Sequence, residues 1–238
     1  MKQYNIYPSL LDAYQWYLDS EADIKEDERL NLIDKINRVP LADTEAADRG
    51  TCFNELVDAV NENRRPKGVE VVSKTIDEKD GRLYVHCKLN GHAFRYDAET
   101  LKSFARQYEG SIAQRFCQGT MDTACGSVRL YGYIDKLMPF SVHDIKTTGN
   151  YAYGKYKNHW QHIVYPFCLR QEGYDLKDFE YNIIELGSNG TTKGVYTEYY
   201  RYDVERDEAR LRYFLEDFIG FIEDNRDRIT DKKIFNLP

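Results

Sequence analysis

The sequence predicts an α/β fold in which a central sheet is flanked by helices. Three observations carry that expectation. Apolar residues recur at helical spacing toward both ends of the chain, as Leu30, Ile33 and Ile36 and again as Leu211, Phe214, Leu215, Phe218 and Phe221. Between them lie short runs that read as strands, separated by turn residues. A composition 42% hydrophobic and 14% aromatic over 238 residues suffices for one sizeable core and argues against disorder.

The elements follow in order. Ser9 opens a helix with a Ser9-x-x-Asp12 capping box, and Tyr14 and Tyr17 continue its apolar face. Residues 19–36 read as a charged, solvated helix ended by Pro40. A helix over about 44–63 buries Phe53, Leu56, Val57 and Val60, and Gly50 inside it marks either close packing or a break. Arg64-Arg65-Pro66-Lys67-Gly68 is a turn, more often merely exposed than a phosphate contact. Residues 82–96 form a hairpin about a type I′ turn at Asn90-Gly91. His86 and His92 beside it could share a metal but suit surface positions better. Asp97 caps a helix running through Tyr108 and stopped by Gly110. Segments 111–120, 127–134 and 140–147 make an antiparallel meander, and a loop holds Gly149 and Gly154. A helix over 157–172 is kinked or restarted by Pro166. Strands at 179–186 and 195–203 precede a closing helix over 205–228. With no repeat, low-complexity tract or linker, residues 1–238 read as one domain.

The chemistry concentrates in residues 130–148. Asp135 closes one strand, a turn covers 137–140, and Asp144 and Lys146 stand two apart on the next strand. Residues i and i+2 share a strand face, so Asp144 and Lys146 point together while Ile145 points to the opposite, apolar layer. A D-x-K triplet alone is more often a solvated face with a weak cross-strand ion pair. Two carboxylates and an ammonium at a sheet end can nevertheless hold a divalent cation beside a water, which is apparatus for metal-assisted hydrolysis.

Other motifs fall in register around this pair. Gly132-Tyr133-Ile134-Asp135 precedes Asp144-Ile145-Lys146-Thr147, Gln161 and Tyr165 stand four apart downstream, and Gly50-Thr51-Cys52-Phe53-Asn54 lies upstream. Tyr7-Pro8-Ser9-Leu10-Leu11-Asp12 with Tyr14, Trp16 and Tyr17 opens the chain. In these motifs, in this order, the chain resembles the PD-(D/E)XK nucleases, in particular the RecB-like exonuclease branch. The likeness runs from Ser9 to about the last helix and is poorest over 69–97. It implies a restriction-endonuclease-like mixed central sheet flanked by helices, with a hairpin–helix insertion at about 69–110. It implies a metal-dependent phosphodiester hydrolase in DNA processing, of the kind suited to a phage or mobile element. Asp135, Asp144 and the Ile145 carbonyl would bind Mg²⁺ or Mn²⁺, Lys146 would orient the water, and Gln161 and Tyr165 would position the substrate. The family often carries His at the last position of its G-T-x-x-H motif, where this chain has Asn54. An amide oxygen suits hard Mg²⁺ better than Mn²⁺. Glu55, or Asp58 one turn later, could serve instead, but adjacent helix residues diverge by about 100°, so Asn54 and Glu55 are alternatives.

Composition sets further bounds. A formal charge of −7 weakens the case for tight nucleic-acid binding, although an acidic enzyme can carry a local basic track. Lys155, Tyr156, Lys157 and Trp160 are candidates for such a strand-holding track, with rim aromatics in a solvated loop as the plain alternative. Most of the twenty tyrosines suit half-buried rims. Five cysteines without a C-x-x-C pair, and none after Cys168, leave no disulfide framework, zinc ribbon or family-type iron–sulfur cluster in prospect. No long apolar run or signal region appears, so no membrane partner is expected and a cytoplasmic location is. Two rival readings are a catalytically inactive nuclease-fold module that binds nucleic acid, with Asn54 a sign of decay, and a protein-interaction module favoured by the net charge.

Overall fold

The computed structural model describes residues 2–40, 42 and 44–236. In chain order these form β1 (Gln3–Ile6), α1 (Pro8–Asp19), α2 (Lys25–Ile36), α3 (Glu45–Asn61), β2 (Glu70–Ile76), β3 (Leu83–Leu89), β4 (His92–Asp97) and α4 (Ala98–Gln107). Then come β5 (Ile112–Thr123), β6 (Gly126–Leu137), β7 (Ser141–Thr148), α5 (Gln161–Gln171), β8 (Asp178–Leu186), β9 (Thr192–Arg201), α6 (Val204–Asp224) and a closing 3₁₀ turn, Lys232–Phe235. The fold is α/β. Its main sheet has six strands in the order β1-β6-β7-β8-β9, with β5 also paired to β6. It is mixed: β1–β6 and β7–β8 are parallel, the remaining pairs antiparallel.

Helices cover both faces of this sheet. On one face α1, α2, α5 and α6 bury the larger core, where Tyr14 packs its ring against Phe214, Phe218 and Phe221. The apolar stripe read on α6 is this contact, and all five of its residues are buried. On the other face α3 and α4 pack with Ile145, Ile184 and Leu186 and share their core with the small sheet β2-β3-β4. Residues 69–110 thus lean on the motif helix α3 through Phe53, Tyr96 and Phe104. Burial of such rings, each worth about 2–3 kcal/mol, fixes α3 against β7. Gly50 belongs to that contact: a Cβ there would sit 3.3 Å from Thr147 Oγ1, and α3 runs through it unbroken.

Several expectations are corrected. Helix α1 begins at Pro8, and its cap Tyr7 makes no side-chain hydrogen bond, so the Ser9–Asp12 capping box is absent. The region 19–36 breaks at Ser20–Ile24, and Leu32 rather than Leu30 is buried. Helix α2 ends before Pro40, because Arg38 turns left-handed at φ 56° and Val39 N–H closes on Asp34 O. Val60 is 55% exposed. Helix α5 starts at Gln161, four residues late, and continues through Pro166. Strands β1 and β2 carried no clear alternation. The hairpin turn is as read, with Asn90 and Gly91 both at positive φ, and Asp97 caps α4 by accepting from the Glu99 and Thr100 amides. His86 and His92 do not share a ligand: His86 bonds Thr75 and His92 bonds Asp48. Among the described residues no helix is long and apolar enough to cross a membrane.

Candidate active site

Strand β6 makes the site by pairing with two different neighbours along one edge. Its first half pairs with β1 as far as Leu130, its last two residues pair with β7 at His143 and Val142, and β5 occupies the whole opposite edge. Residues 131–135 are left unpaired on the forked edge. The central meander is thus only half right, since β6 and β7 touch over two residues and then splay. Asp135 bridges the splay, its Oδ2 accepting from Ile145 N–H at 3.2 Å. A residue's N–H and C=O face the same strand edge, so the Ile145 carbonyl opens into the fork as well.

Asp144 and Lys146 share a face, as the i, i+2 spacing requires. Asp144 is 1% exposed. Its Oδ1 accepts from Gln161 Nε2 at 2.6 Å, while Oδ2 makes an ion pair with Lys146 Nζ at 2.8 Å. Lys146 Nζ also donates to Gln161 Oε1 at 2.7 Å. Lysine only donates and carboxylate only accepts, so these two bonds fix the Gln161 amide. Burial pulls the Lys146 ammonium down, but the Asp144 and Asp135 charges outweigh it and hold it above its ordinary value. Burial, then the Asp144 charge, push Asp135 up to about 7. A carboxylate so desolvated and so close to a second one gains from a cation between them.

The first residue of α5 carries Gln161, and α1 anchors that end. Asp12 Oδ1 accepts from Trp160 N–H at 2.7 Å, so Asp12 caps α5 rather than its own helix. One turn further, Tyr165 lies against β6. A Cβ on Gly132 would meet the Tyr165 ring at 2.7 Å, which is why the strand has glycine there. Gln161 Nε2 and Tyr165 Oη are 3.5 Å apart.

On the opposite side, Asn54 of α3 donates to Asp135 Oδ2 at 3.2 Å. Glu55 points away: both its oxygens are bound by Arg64, and the Lys67 amide donates to it. Asp58 pairs with Lys136, and both are buried. Of the three helix candidates, only Asn54 faces the carboxylates. Hard oxygen donors for Mg²⁺ or Mn²⁺ are therefore Asp135, Asp144, Asn54 and the Ile145 carbonyl. Asn54 Oδ1 is buried without a partner, the condition a ligand-ready oxygen would be in, while Asp144 Oδ2 faces only the Lys146 ammonium. Among the described residues no three His, Cys, Asp or Glu side chains cluster, so any cation here relies on the amide and carbonyl oxygens too.

Two features carried no sequence signal. Gln114 of β5 adopts φ 50° and sets its amide 3.4 Å from Asp135 Oδ1. A non-glycine residue in that conformation is strained, and such residues gather at functional sites. The Asp58–Lys136 pair tethers α3 to β6 beside Asn54 and Asp135. The strand-holding track is corrected. Trp160 is 1% exposed, stacked on Phe214 with ring centroids 4.1 Å apart, and Tyr156 is 5% exposed. Neither ring is open to a base. Lys155 and Lys157 are exposed, but Lys155 Nζ is bonded to Thr148 and Asn150.

Fold and site together define an α/β domain with an acidic, oxygen-lined fork inside the sheet, where β1 and β7 part along one edge of β6. No family model matches the chain, and no curated protein matches it. The crystal structure of SSO0001 is similar over part of the fold, at 15% identity and a TM-score of 0.40, covering 51% of this chain. The chain spans about half of that structure, 55% of its length, and a likeness so distant carries no argument about function.

Proposed function

We propose that this protein is a metal-dependent nuclease of the PD-(D/E)XK type, hydrolysing phosphodiester bonds of DNA at the β6–β7 fork. The observation that carries the reading is the convergence of Asp135, Asp144, Lys146, Gln161 and Asn54, with Asn54 Oδ1 buried and unpartnered among them. Asp135, Asp144, Asn54 and the Ile145 carbonyl would hold a divalent cation, which would supply an acidified water and offset charge on the phosphate. Lys146, fixed by Gln161 and Asp144, stabilises the negative charge that grows on the phosphate oxygens and orients the attacking water. Gln161 holds Lys146 and Asp144 in one geometry, so neither must reorganise during the reaction. Tyr165, its hydroxyl held protonated by burial, offers a donor beside Gln161. The catalytically inactive alternative has Asn54 in its favour, since an amide replaces the family's imidazole. End-labelled DNA and RNA incubated with Mg²⁺, with Mn²⁺ and with EDTA test the proposal. Cleavage that needs the metal is expected. Intact strands with every metal would leave the two inactive readings, a nucleic-acid-binding and a protein-interaction module.

A further inference from the structure

A cavity of about 380 Å³ opens along the unpaired edge of β6, next to the fork. It shares Gln161 and Tyr165 with the site, and Tyr7, Tyr131, Tyr133 and Arg38 complete its wall. Tyr131, Tyr133 and Asp135 are alternate residues of β6, so the aromatic stripe runs along the strand that ends at the candidate ligand. Tyr133 is 57% exposed, with one side of its ring against Phe116. Arg38 lies across the mouth, its Nε held by Asp231 at 2.7 Å and its Nη2 3.4 Å from the Tyr131 hydroxyl. That leaves the Nη1 donors for a ligand. Arg38 also stands just past the end of α2 in the left-handed conformation, where glycine would be unstrained.

We propose that this cavity seats one unpaired nucleotide at the end of a DNA strand, its base against the tyrosine rings and its phosphate beside Arg38. The proposal rests on the nuclease reading of the adjoining fork. The chemistry fits: bases of any sequence stack on aromatic rings, and a guanidinium pairs with phosphate. The volume is at the small end of ligand clefts, matched to one nucleotide and too small for a base pair with its backbones. Such a seat would place the next phosphodiester against Gln161 and Lys146, making an unpaired end the substrate.

The test is fluorescence anisotropy with a short labelled DNA single strand in Ca²⁺, the strand checked for integrity afterwards. Tyr133→Ala and Arg38→Gly are compared with wild type, with thermal unfolding and Mn²⁺ calorimetry on each protein as controls. Each variant is expected to bind about tenfold or more weakly, the loss of one base stack or one phosphate contact, with Mn²⁺ affinity unchanged. Blunt duplex is expected to compete poorly. Wild-type strand affinity in both variants, or equal competition by duplex, overturns the proposal. A protein that binds the strand through Tyr133 and Arg38 but never cleaves it upholds the cavity assignment and removes hydrolysis instead. Metal-dependent cleavage and binding both undiminished in the two variants removes the cavity assignment and leaves hydrolysis standing.

Discussion

Replacing Asp135 with asparagine isolates the electrostatic cost of gathering two carboxylates in the fork. Burial and the Asp144 charge raise Asp135 from 3.8 to about 7, against the opposing pull of Lys146 and the Ile145 amide. Between those values the unfolded chain has released a proton that the folded protein still holds. Stability of the metal-free protein therefore falls as pH rises through that window and levels off above about 7. Ionising the group across the whole window costs on the order of 4 kcal/mol as an upper bound. Asparagine carries no charge, and its oxygen can still accept from the Ile145 and Asn54 N–H groups that bond Oδ2. Above neutral pH, Asp135→Asn should be more stable than wild type by about 1–3 kcal/mol, with the gain vanishing near pH 4. Urea unfolding in EDTA at several pH values reads this directly. Added Mg²⁺ should then stabilise wild type and leave the variant unchanged. A variant no more stable than wild type at high pH, or a gain independent of pH, would refute the charge argument.

Four further outcomes follow from the geometry. Asp144→Asn should lower the pKa of Asp135, because the second-largest cause of its rise is the Asp144 charge; carboxyl carbon NMR shifts against pH check this. Asn54→His should raise affinity for Mn²⁺ over Mg²⁺, while Glu55→Gln, which only loosens Arg64 and the turn at Lys67, should leave both affinities alone in calorimetric titration. Gly132→Ala should destabilise by about 1–3 kcal/mol as its new methyl meets Tyr165. Pairing it with Tyr165→Leu should recover part of the loss in thermal unfolding. Trp160→Ala should cost about 3–5 kcal/mol as a core cavity, measured by urea unfolding, rather than act as the loss of a surface stacking residue.

What the sequence reveals is what lies in local periodicity and short spacings. The α6 stripe, the Asn90-Gly91 turn and the Asp97 cap each depend on a few neighbouring residues, and each is where the pattern puts it. The shared face of Asp144 and Lys146 follows from strand geometry alone. The fork does not, because it arises from β1 and β7 taking turns on one edge of β6, and β1 comes to that edge from more than a hundred residues away. Asp12 shows the same limit: its spacing from Ser9 suggests a local cap, yet its partner is the backbone of Trp160. Lys155, Tyr156, Lys157 and Trp160 look like an exposed basic and aromatic track only until α6 is packed over Trp160. Gln114 gives no warning in sequence, since its left-handed backbone serves a contact to Asp135 rather than a local preference.

The central claim is that Asp144 and Lys146 drive phosphodiester hydrolysis with a cation held in the fork. Cleavage of one end-labelled DNA strand in Mn²⁺ by wild type, Asp144→Ala and Lys146→Ala, each verified as folded by circular dichroism, tests it most directly. The account predicts cleavage by wild type that EDTA abolishes and no cleavage by either variant. Undiminished metal-dependent cleavage by Asp144→Ala would contradict it.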